Sequence, residues 1–273
     1  MKKLITVCVF KNPEFIQLLY MFLESLFMYG NLDENTDIII YTSTEFMNII
    51  QKSHLYCNKI FFEINDTYDN VYKACFSRVD IFNFSSIQKY ERILYLDIDI
   101  IIIRDINPVF DIAEKNVIYA LEEGTIEDEF WGKGLFGEEI HNYENKIAFS
   151  SGVMLFNNAP EIKNLFADIR NDAESRLHWF GDQPYFVYNA FKFNMYDNQK
   201  MKKFVALNDN VLPTDKTISH FACGPGEYID KYVRMINFLT DLKDESTMRV
   251  IHQCRKYIDD HLIPLIYATG EPL

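Results

Sequence analysis

The sequence predicts an α/β fold in which helices cover both faces of a mainly parallel central sheet. Two patterns in the 273 residues favour this class. Short apolar runs typical of strands alternate with helical segments in the first part of the chain, as they do in βαβ units. The run at 92–104 is apolar almost throughout, which is typical of a strand that a parallel sheet buries on both faces.

The first predicted elements follow this alternation. Pro13 suits the first turn of a helix, and Gly30 suits a helix end. Before the long apolar run we predict a strand at 4–10, a helix at 14–29, a strand at 37–42, a helix at 45–53, a strand at 59–64 and a helix at 71–87.

The rhythm is less regular after the long run. The stretch 122–145 is acidic, contains four glycines and has no period, so it is either a loop or lid or a disordered insertion. The other predicted elements are a short helix within 105–110, strands at 117–121 and 153–156, helices at 162–177 and 183–191, strands at 204–207 and 217–221, a tight loop at 223–226, and helices at 230–242 and 245–260.

Composition limits the classes of function. Hydrophobic residues make up 48% of the chain and charged residues 25%, so we expect one domain with a packed core. A net charge of -13 argues against duplex nucleic acid or an anionic membrane as a partner. No apolar stretch is long enough for a membrane span.

Cysteines and the amino terminus favour the cytoplasm, or a host cytoplasm if the protein is viral. The five cysteines are odd in number and form no Cys-x-x-Cys pair, so we expect them to be reduced. The opening apolar stretch is short, and Lys11 and Glu14 follow where a signal peptide would need a cleavage site, so we interpret it as a first strand.

Asp97 and Asp99 interrupt the long apolar run. Buried carboxylates need compensation, and alternate residues of a strand leave the same face, so the two side chains would point together. A divalent cation such as Mn²⁺ or Mg²⁺ removes their repulsion. Two other interpretations remain: aspartates that cap a turn, or an Asp-x-Asp phosphatase or phosphotransferase. The latter chemistry usually has a small hydroxyl residue where this chain has Ile101.

Several segments together resemble one known family. They are Arg-Ile-Leu-Tyr-Leu-Asp-Ile-Asp at 92–99, Cys-Phe-Ser-Arg at 75–78, Phe-Ser-Ser-Gly-Val-Met-Leu-Phe-Asn at 149–157, Gly-Asp-Gln at 181–183, and Ser-His-Phe at 219–221 with Gly224. The segments resemble those of the retaining family 8 glycosyltransferases, the glycogenin and bacterial galactosyltransferase group. The resemblance implies a GT-A-type nucleotide-diphospho-sugar transferase fold. It also divides the single domain, 1–273, into a nucleotide-binding half at 1–105 and an acceptor- and sugar-binding half at 106–273.

The resemblance also implies roles for single residues. Asp97, Asp99 and His220 would hold Mn²⁺ or Mg²⁺, and Arg78, Asp182 and Gln183 would take part in catalysis. Positions that would contact UDP-glucose or UDP-galactose are Thr6, Val7, Cys8, Asn12, Phe15, Arg78, Leu96, Asp97, Ile98, Asp99, Ser150, Ser151, His220 and Gly224. Without the family, most of these would be interpreted as core, helix caps or surface residues.

Two departures from the family pattern leave alternatives open. Ser150 stands where the family has asparagine, which bears on the choice of sugar. The family's Lys-Pro-Trp ending is absent after Phe221, and Lys231 is a candidate replacement for the lysine that clamps the diphosphate. The missing lysine keeps a nucleotide-sugar-binding protein without transferase activity as an alternative.

The acceptor is left open as a glycan, a protein or a lipid. Self-glycosylation of the glycogenin kind is a minor hypothesis, because Tyr196 lies only in the right general region and Leu207-Asn208 aligns with the family's tyrosine-asparagine pair. A homodimer is possible by analogy with the family.

Overall fold

A computed structural model of the chain describes residues 1–207, 215–222, 228–242, 248–257 and 260. The described residues form ten strands: β1 (Lys3–Val9), β2 (Thr36–Thr42), β3 (Ile60–Ile64), β4 (Arg92–Leu96), β5 (Ile100–Ile102), β6 (Ile118–Thr125), β7 (Ile147–Asn157), β8 (Tyr196–Asp197), β9 (Val205–Leu207) and β10 (Ile218–His220).

The same residues contain nine α-helices. They are α1 (Glu14–Tyr29), α2 (Thr44–Ile50), α3 (Val71–Cys75), α4 (Asn107–Phe110), α5 (Lys133–Phe136), α6 (Pro160–Ser175), α7 (Gln183–Lys192), α8 (Tyr228–Asp241) and α9 (Met248–Tyr257). Short 3-10 helices lie at Phe76–Asn83, Ile87–Lys89, Glu129–Trp131, Gly137–Tyr143 and Lys200–Lys203. None of the helices in these described parts is long and apolar enough to cross a membrane.

Seven strands form the main sheet, in the order β3-β2-β1-β4-β7-β6-β8. β3, β2, β1 and β4 run parallel, whereas β7 lies antiparallel between β4 and β6. A second sheet has the order β5-β10-β9. The predicted α/β class with a mostly parallel sheet is therefore confirmed, and the antiparallel insertion of β7 is the part that strand and helix alternation did not indicate.

Strand alternation gives the protein a core on each face of the main sheet. Ile5 and Leu94 belong to one apolar cluster, which packs on α1, and their neighbours Leu4 and Ile93 belong to the other, which packs on α6 and α7. The period of two residues sends successive side chains to opposite faces. Helices on both faces follow directly from this double burial.

The long apolar run at 92–104 is not one strand, so the prediction was wrong at this point. β4 ends at Leu96, and β5 begins at Ile100 in the other sheet. The backbone N–H of Asp97 donates to the Gly152 carbonyl at 2.8 Å, and the Asp99 carbonyl accepts from the Phe221 N–H at 2.9 Å. The chain bends between the sheets, which places the two carboxylates at the carboxyl end of β4 rather than inside a strand, where their burial would be costly.

Two other segments differ from prediction. The expected helix at 71–87 is α3 followed by two 3-10 helices. The acidic stretch at 122–145 is ordered: β6 extends to Thr125, and short helices follow. Its apolar residues Trp131 and Phe136 are buried against the second core cluster, which explains how a segment without period still packs.

Candidate active site

Three potential metal ligands meet at the bend after β4. Ligand atoms of Asp97, Asp99 and His220 lie within 4.8 Å of one another. His220 ends β10 and pairs with Ile100 of β5, which brings it back to the aspartates. Its Nε2 lies 3.4 Å from Asp99 Oδ1 and 4.0 Å from Asp97 Oδ2.

The donor set fits a divalent cation. Asp99 Oδ1 and His220 Nδ1 are buried and have no hydrogen-bond partner among the residues that the structure describes. Carboxylate oxygens are ordinary ligands for Mn²⁺ and Mg²⁺, and an imidazole in the same set favours a transition metal such as Mn²⁺. Space at this point depends on Gly152, because a Cβ there would lie 2.8 Å from Asp97 Oδ2 and 2.9 Å from His220 Nε2.

Lys231 of α8 adds a positive charge to the cluster. Its Nζ lies 2.6 Å from Asp99 Oδ2, and both side chains are buried. Burial alone favours the neutral carboxyl, but Lys231 and His220 hold the pKa of Asp99 well below its usual range. Burial likewise favours a neutral imidazole, yet Asp99 raises the pKa of His220. The pocket around Asp99 therefore favours positive charge.

Arg78 connects the aspartates to the second half of the site. Its Nε lies 2.7 Å from Asp182 Oδ2, and its Nη1 lies 3.3 Å from Asp97 Oδ1. Nη1 also donates to the Ser151 carbonyl at 2.8 Å. The guanidinium carbon sits 4.9 Å from the centre of the Tyr95 ring. These contacts fix the largely buried guanidinium of Arg78 between two carboxylates.

Asp182 and Gln183 stand at the start of α7. The preceding Gly181 has a φ of +82°, a left-handed conformation that favours glycine. The Gln183 side-chain oxygen accepts from the Ser151 N–H at 3.2 Å. Burial raises the pKa of Asp182 to about 6, although Arg78 acts in the opposite direction.

Two adjoining cavities meet at this cluster. We call the first the apolar cavity; its lining includes Cys8, Phe10, Phe15, Leu18, Val71 and Ala74. The second, the polar cavity, has a volume of about 470 Å³ and a lining that includes Glu123, Ser150, Ser151, Asp182, Gln183 and His220. Cys75, Arg78, Asp97, Asp99 and Lys231 line both. A ligand with an apolar end and a polar end joined by a charged group would match this arrangement.

The predicted site residues divide into those that line a cavity and those that do not. Cys8, Phe15 and Ile98 line the apolar cavity together with Arg78, Asp97 and Asp99, whereas Ser150, Ser151, Asp182, Gln183 and His220 line the polar one. Thr6, Val7 and Leu96 are fully buried and line neither cavity. The Asn12 side chain hydrogen-bonds to Glu14 at the start of α1. Gly224 and the tight loop at 223–226 lie outside the described residues.

Sequence reasoning missed several residues of the cavities. The Tyr95 hydroxyl donates to Asp97 Oδ1 at 2.5 Å. In the sequence, a tyrosine within a predicted strand gave no indication of this role. Glu123 lines the polar cavity near Ser150 and His220, and burial raises its pKa. It belongs to the acidic stretch, where nothing in the sequence separates it from its exposed neighbours. Phe130 and Phe180 line the same cavity.

Tyr196, the tyrosine considered for self-glycosylation, lies away from these cavities. It sits on β8 at the edge of the main sheet, and its ring stacks on Phe191 with centroids 3.9 Å apart. It lines neither the apolar nor the polar cavity.

Comparisons with known proteins support the family resemblance and the fold. The sequence model described as glycosyl transferase family 8 matches residues 23–187. No curated protein sequence matches the chain significantly. The galactosyltransferase LgtC, solved with donor and acceptor sugar analogs, is similar with a TM-score of 0.60 at 14% identity, covering 82% of this chain and 88% of that one.

Other solved structures share the architecture. Mouse xyloside xylosyltransferase 1 has a TM-score of 0.59 at 15% identity, covering 82% of this chain and 98% of that one. The bifunctional glycosyltransferase WbbM has a TM-score of 0.61 at 14% identity over 91% of this chain, and the chain spans about half of it, 51%. These likenesses confirm the predicted GT-A-type fold.

Proposed function

Because the chain belongs to glycosyl transferase family 8, we propose that it is a metal-dependent, retaining glycosyltransferase. It moves a hexose, glucose or galactose, from a UDP-sugar to an acceptor hydroxyl. The observation that carries the proposal is the position of Asp97, Asp99 and His220 at the junction of the apolar and polar cavities. A diphosphate at this junction would have the nucleoside on one side and the sugar on the other.

The apolar cavity suits the uridine. Phe10 and Phe15 offer aromatic surface, and Cys8 adds a neutral side chain because burial raises the pKa of its thiol to about 12. The polar cavity suits the hexose, since Ser151, Asp182 and Gln183 present groups that pair with sugar hydroxyls. The chain is proposed to act as one domain, with the donor held across the boundary between its two halves.

Asp97, Asp99 and His220 would hold the divalent cation. A bound Mn²⁺ or Mg²⁺ supplies Lewis-acid stabilisation of negative charge on the diphosphate. Lys231 and Arg78 add fixed positive charge beside the same point. Lys231 thereby takes the place of the lysine that is missing after Phe221, from a different position in the sequence.

Transfer breaks the bond between the anomeric carbon and the diphosphate oxygen, and a new bond forms between that carbon and the acceptor oxygen. The electron pair of the broken bond leaves with UDP, which also takes up the acceptor proton. Positive charge develops on the sugar ring, so the ionised Asp182 stabilises it. Ser151 and Arg78 hold Gln183 and Asp182 in place before the sugar arrives.

Release of UDP from UDP-glucose and UDP-galactose, with and without Mn²⁺, tests the proposal. We expect Mn²⁺-dependent UDP release that disappears in Asp99→Ala. Asp111→Ala is the matched control, because its side chain is 74% exposed and lines neither cavity. UDP at a hundred times its dissociation constant should stabilise the wild type by about 2.7 kcal/mol.

Three results would contradict the proposal. Binding of UDP-sugar without turnover would indicate a nucleotide-sugar-binding protein. Release of phosphate from monoesters would indicate the phosphatase chemistry. If no uridine nucleotide stabilised the protein in the presence of Mn²⁺, the proposal that the donor is a UDP-sugar would be wrong.

A further inference from the structure

Three aromatic rings form an exposed platform at the mouth of the polar cavity. The rings of Phe130, Trp179 and Phe180 are mutually edge-to-face, with centroids 4.7–5.5 Å apart. Trp179 is 61% exposed and Phe130 is 41% exposed, although large aromatic side chains are usually buried. A soluble protein that exposes such a group of rings normally uses it for binding. We call these three residues the aromatic platform.

Contacts with His178 and Gln183 hold the aromatic platform in place. His178 is buried and its ring stacks behind Trp179, with the planes 18° apart. The Phe180 N–H donates to His178 Nδ1 at 3.2 Å, which fixes the turn that carries both rings. On the other side, Gln183 Nε2 donates to the Phe130 carbonyl at 3.5 Å. A preformed surface of this kind loses little entropy when a ligand binds.

The platform is continuous with the proposed sugar site. Phe130 and Phe180 line the polar cavity beside Asp182 and Gln183. An acceptor must bring its hydroxyl into this cavity to reach the hexose. A ligand seated on the platform would have one end at the position where the reaction takes place.

The charge around the aromatic platform limits the chemical class of the ligand that could bind there. Three consecutive acidic residues, at 127–129, precede Phe130, and the whole chain carries a net charge of -13. Acidic groups beside the platform disfavour phosphorylated or otherwise anionic acceptors and anionic membrane surfaces. A pyranose has an apolar C–H face that packs on an aromatic ring and a polar edge that enters a polar cavity.

On these grounds we propose that the aromatic platform binds the acceptor and that the acceptor is a neutral glycan. This inference depends on the proposed transferase function, and it assigns the acceptor class that the family leaves open. Phe130, Trp179 and Phe180 are specificity residues that contact the acceptor, and Trp179 lines neither the apolar nor the polar cavity.

Tryptophan fluorescence provides a direct test. The chain has two tryptophans, and Trp131 is only 9% exposed, so quenching by acrylamide reports mainly on Trp179. The probes are the neutral sugars lactose, maltotriose and cellotriose. At least one should protect Trp179 from acrylamide at millimolar concentrations, and the protection should be absent in Trp179→Phe, which removes the reporter.

Kinetics with the protective sugar as acceptor provide the second test. Trp179→Ala should raise the acceptor KM about tenfold, as expected for an exposed aromatic anchor. The same variant should leave the rate of UDP-sugar hydrolysis within twofold of wild type. Leu177→Ala is the matched control, because Leu177 is 87% exposed beside the platform and is expected to have no effect.

The outcomes separate this inference from the proposed function. Absence of UDP-sugar hydrolysis in the wild type would refute the transferase proposal itself. Intact hydrolysis with no protection of Trp179 by any of the three sugars would refute the platform proposal alone. Protection by phosphatidylcholine vesicles or by an unstructured peptide, but not by sugars, would also overturn it. If Trp179→Ala unfolds, Phe130→Leu and the quenching measurement on wild type still decide the question.

Discussion

The apolar and polar cavities share one charged wall but are built in different ways. The apolar cavity is lined mostly by residues between Cys8 and Asp99, which come from elements close together in the sequence. Apart from the shared wall, the polar cavity collects residues from Glu123 to Ala222, which the fold brings together from several segments. The lining that belongs to the apolar cavity alone consists mainly of apolar residues, whereas the polar cavity adds buried polar and charged residues such as Ser150, Asp182 and His220 to its aromatic residues.

The difference between the two cavities shows which kinds of site residue can be predicted from a sequence. A buried carboxylate or arginine stands out in an apolar segment because burial is costly unless it is compensated. An aromatic wall residue looks like any other core residue. Variants of each cavity should therefore have separable effects: on turnover for the polar cavity, and on nucleotide affinity for the apolar one.

Asp182→Asn should have the largest effect, and it should act on turnover alone. Removal of the charge beside the sugar is expected to lower kcat about a thousandfold, since electrostatic groups aimed at developing charge carry effects of this size. The Kd of UDP should stay within twofold, because Asp182 lines only the polar cavity. Steady-state kinetics and calorimetry with UDP measure both. An equal loss in UDP affinity would contradict the separation of the two cavities.

The pH profile gives an independent test of Asp182. Its pKa is raised to about 6 by burial, with Arg78 and Asp97 as the charged groups that face it. The carboxyl is neutral below this pKa and ionised above it, so kcat should fall about tenfold between pH 7 and pH 5. The pH dependence should be lost in Asp182→Asn. If the kcat of Asp182→Asn still fell between pH 7 and pH 5, the pH dependence would belong to another group.

Gly152→Ala should act on the wall that both cavities share. The added Cβ would lie within contact of Asp97 and His220, so it displaces two proposed metal ligands. We expect activity to fall about a hundredfold and the Mn²⁺ requirement to rise, because small displacements of ligands have effects of this size. Gly134→Ala is the control glycine, since its Cβ would meet only the flexible Glu129 side chain at 3.2 Å. Equal Mn²⁺ titrations for both variants would argue against a metal at this position.

Phe15→Ala should affect the apolar cavity only. Loss of the ring removes apolar surface that the uridine would cover, so the Kd of UDP should rise about tenfold. The kcat at saturating UDP-sugar should not change, because the ring does not reach the polar cavity. Phe15→Leu keeps most of the apolar volume and should have a smaller effect. A change in kcat with unchanged affinity would invert the assignment of the two cavities.

Asn70→Ala should have the smallest effect, again on the apolar cavity. The Asn70 side chain accepts from the Lys73 N–H at 2.9 Å and caps α3, which contributes Val71 and Ala74 to the wall. Loss of the cap should lower the free energy of unfolding by about 1 kcal/mol and weaken UDP binding two- to threefold. Asn70→Asp retains the acceptor and should resemble wild type. Denaturation in urea together with UDP titration checks both expectations.

Much of the fold could be predicted from the sequence, because strand and helix periods and the capping residues carry it. α1 has the predicted bounds of Glu14 and Tyr29. The long-range pairings could not be predicted in this way: nothing local places β7 antiparallel to β4, or β5 beside β10. The grouping of Asp97, Asp99 and His220 came from the family resemblance, whereas the proposed single strand was wrong.

The predicted site residues also divide into those that line a cavity and those that do not, because local sequence does not show which residues long-range pairing brings together. Residues that carry charge, such as Arg78 and Asp182, line the cavities, and their roles in catalysis stay predictions. Among the uncharged predicted residues, Thr6, Val7 and Leu96 are buried in β1 and β4 and line neither cavity, and their contact with the donor stays a prediction. In a strand, one residue separates the core face from the cavity, and composition does not distinguish the two faces.

The bend at residues 97–99 has a consequence for how the protein is made. Asp97 and Asp99 are synthesised early, whereas His220 and Lys231, which approach them, emerge from the ribosome much later. A nascent chain that stops before β10 carries most of the apolar cavity but has neither the third metal ligand nor the lysine. Such a chain is expected to hold uridine weakly and to be unable to activate a nucleotide sugar. Chemical competence is therefore expected only after the segment that carries His220 and Lys231 has been synthesised and has folded against Asp99.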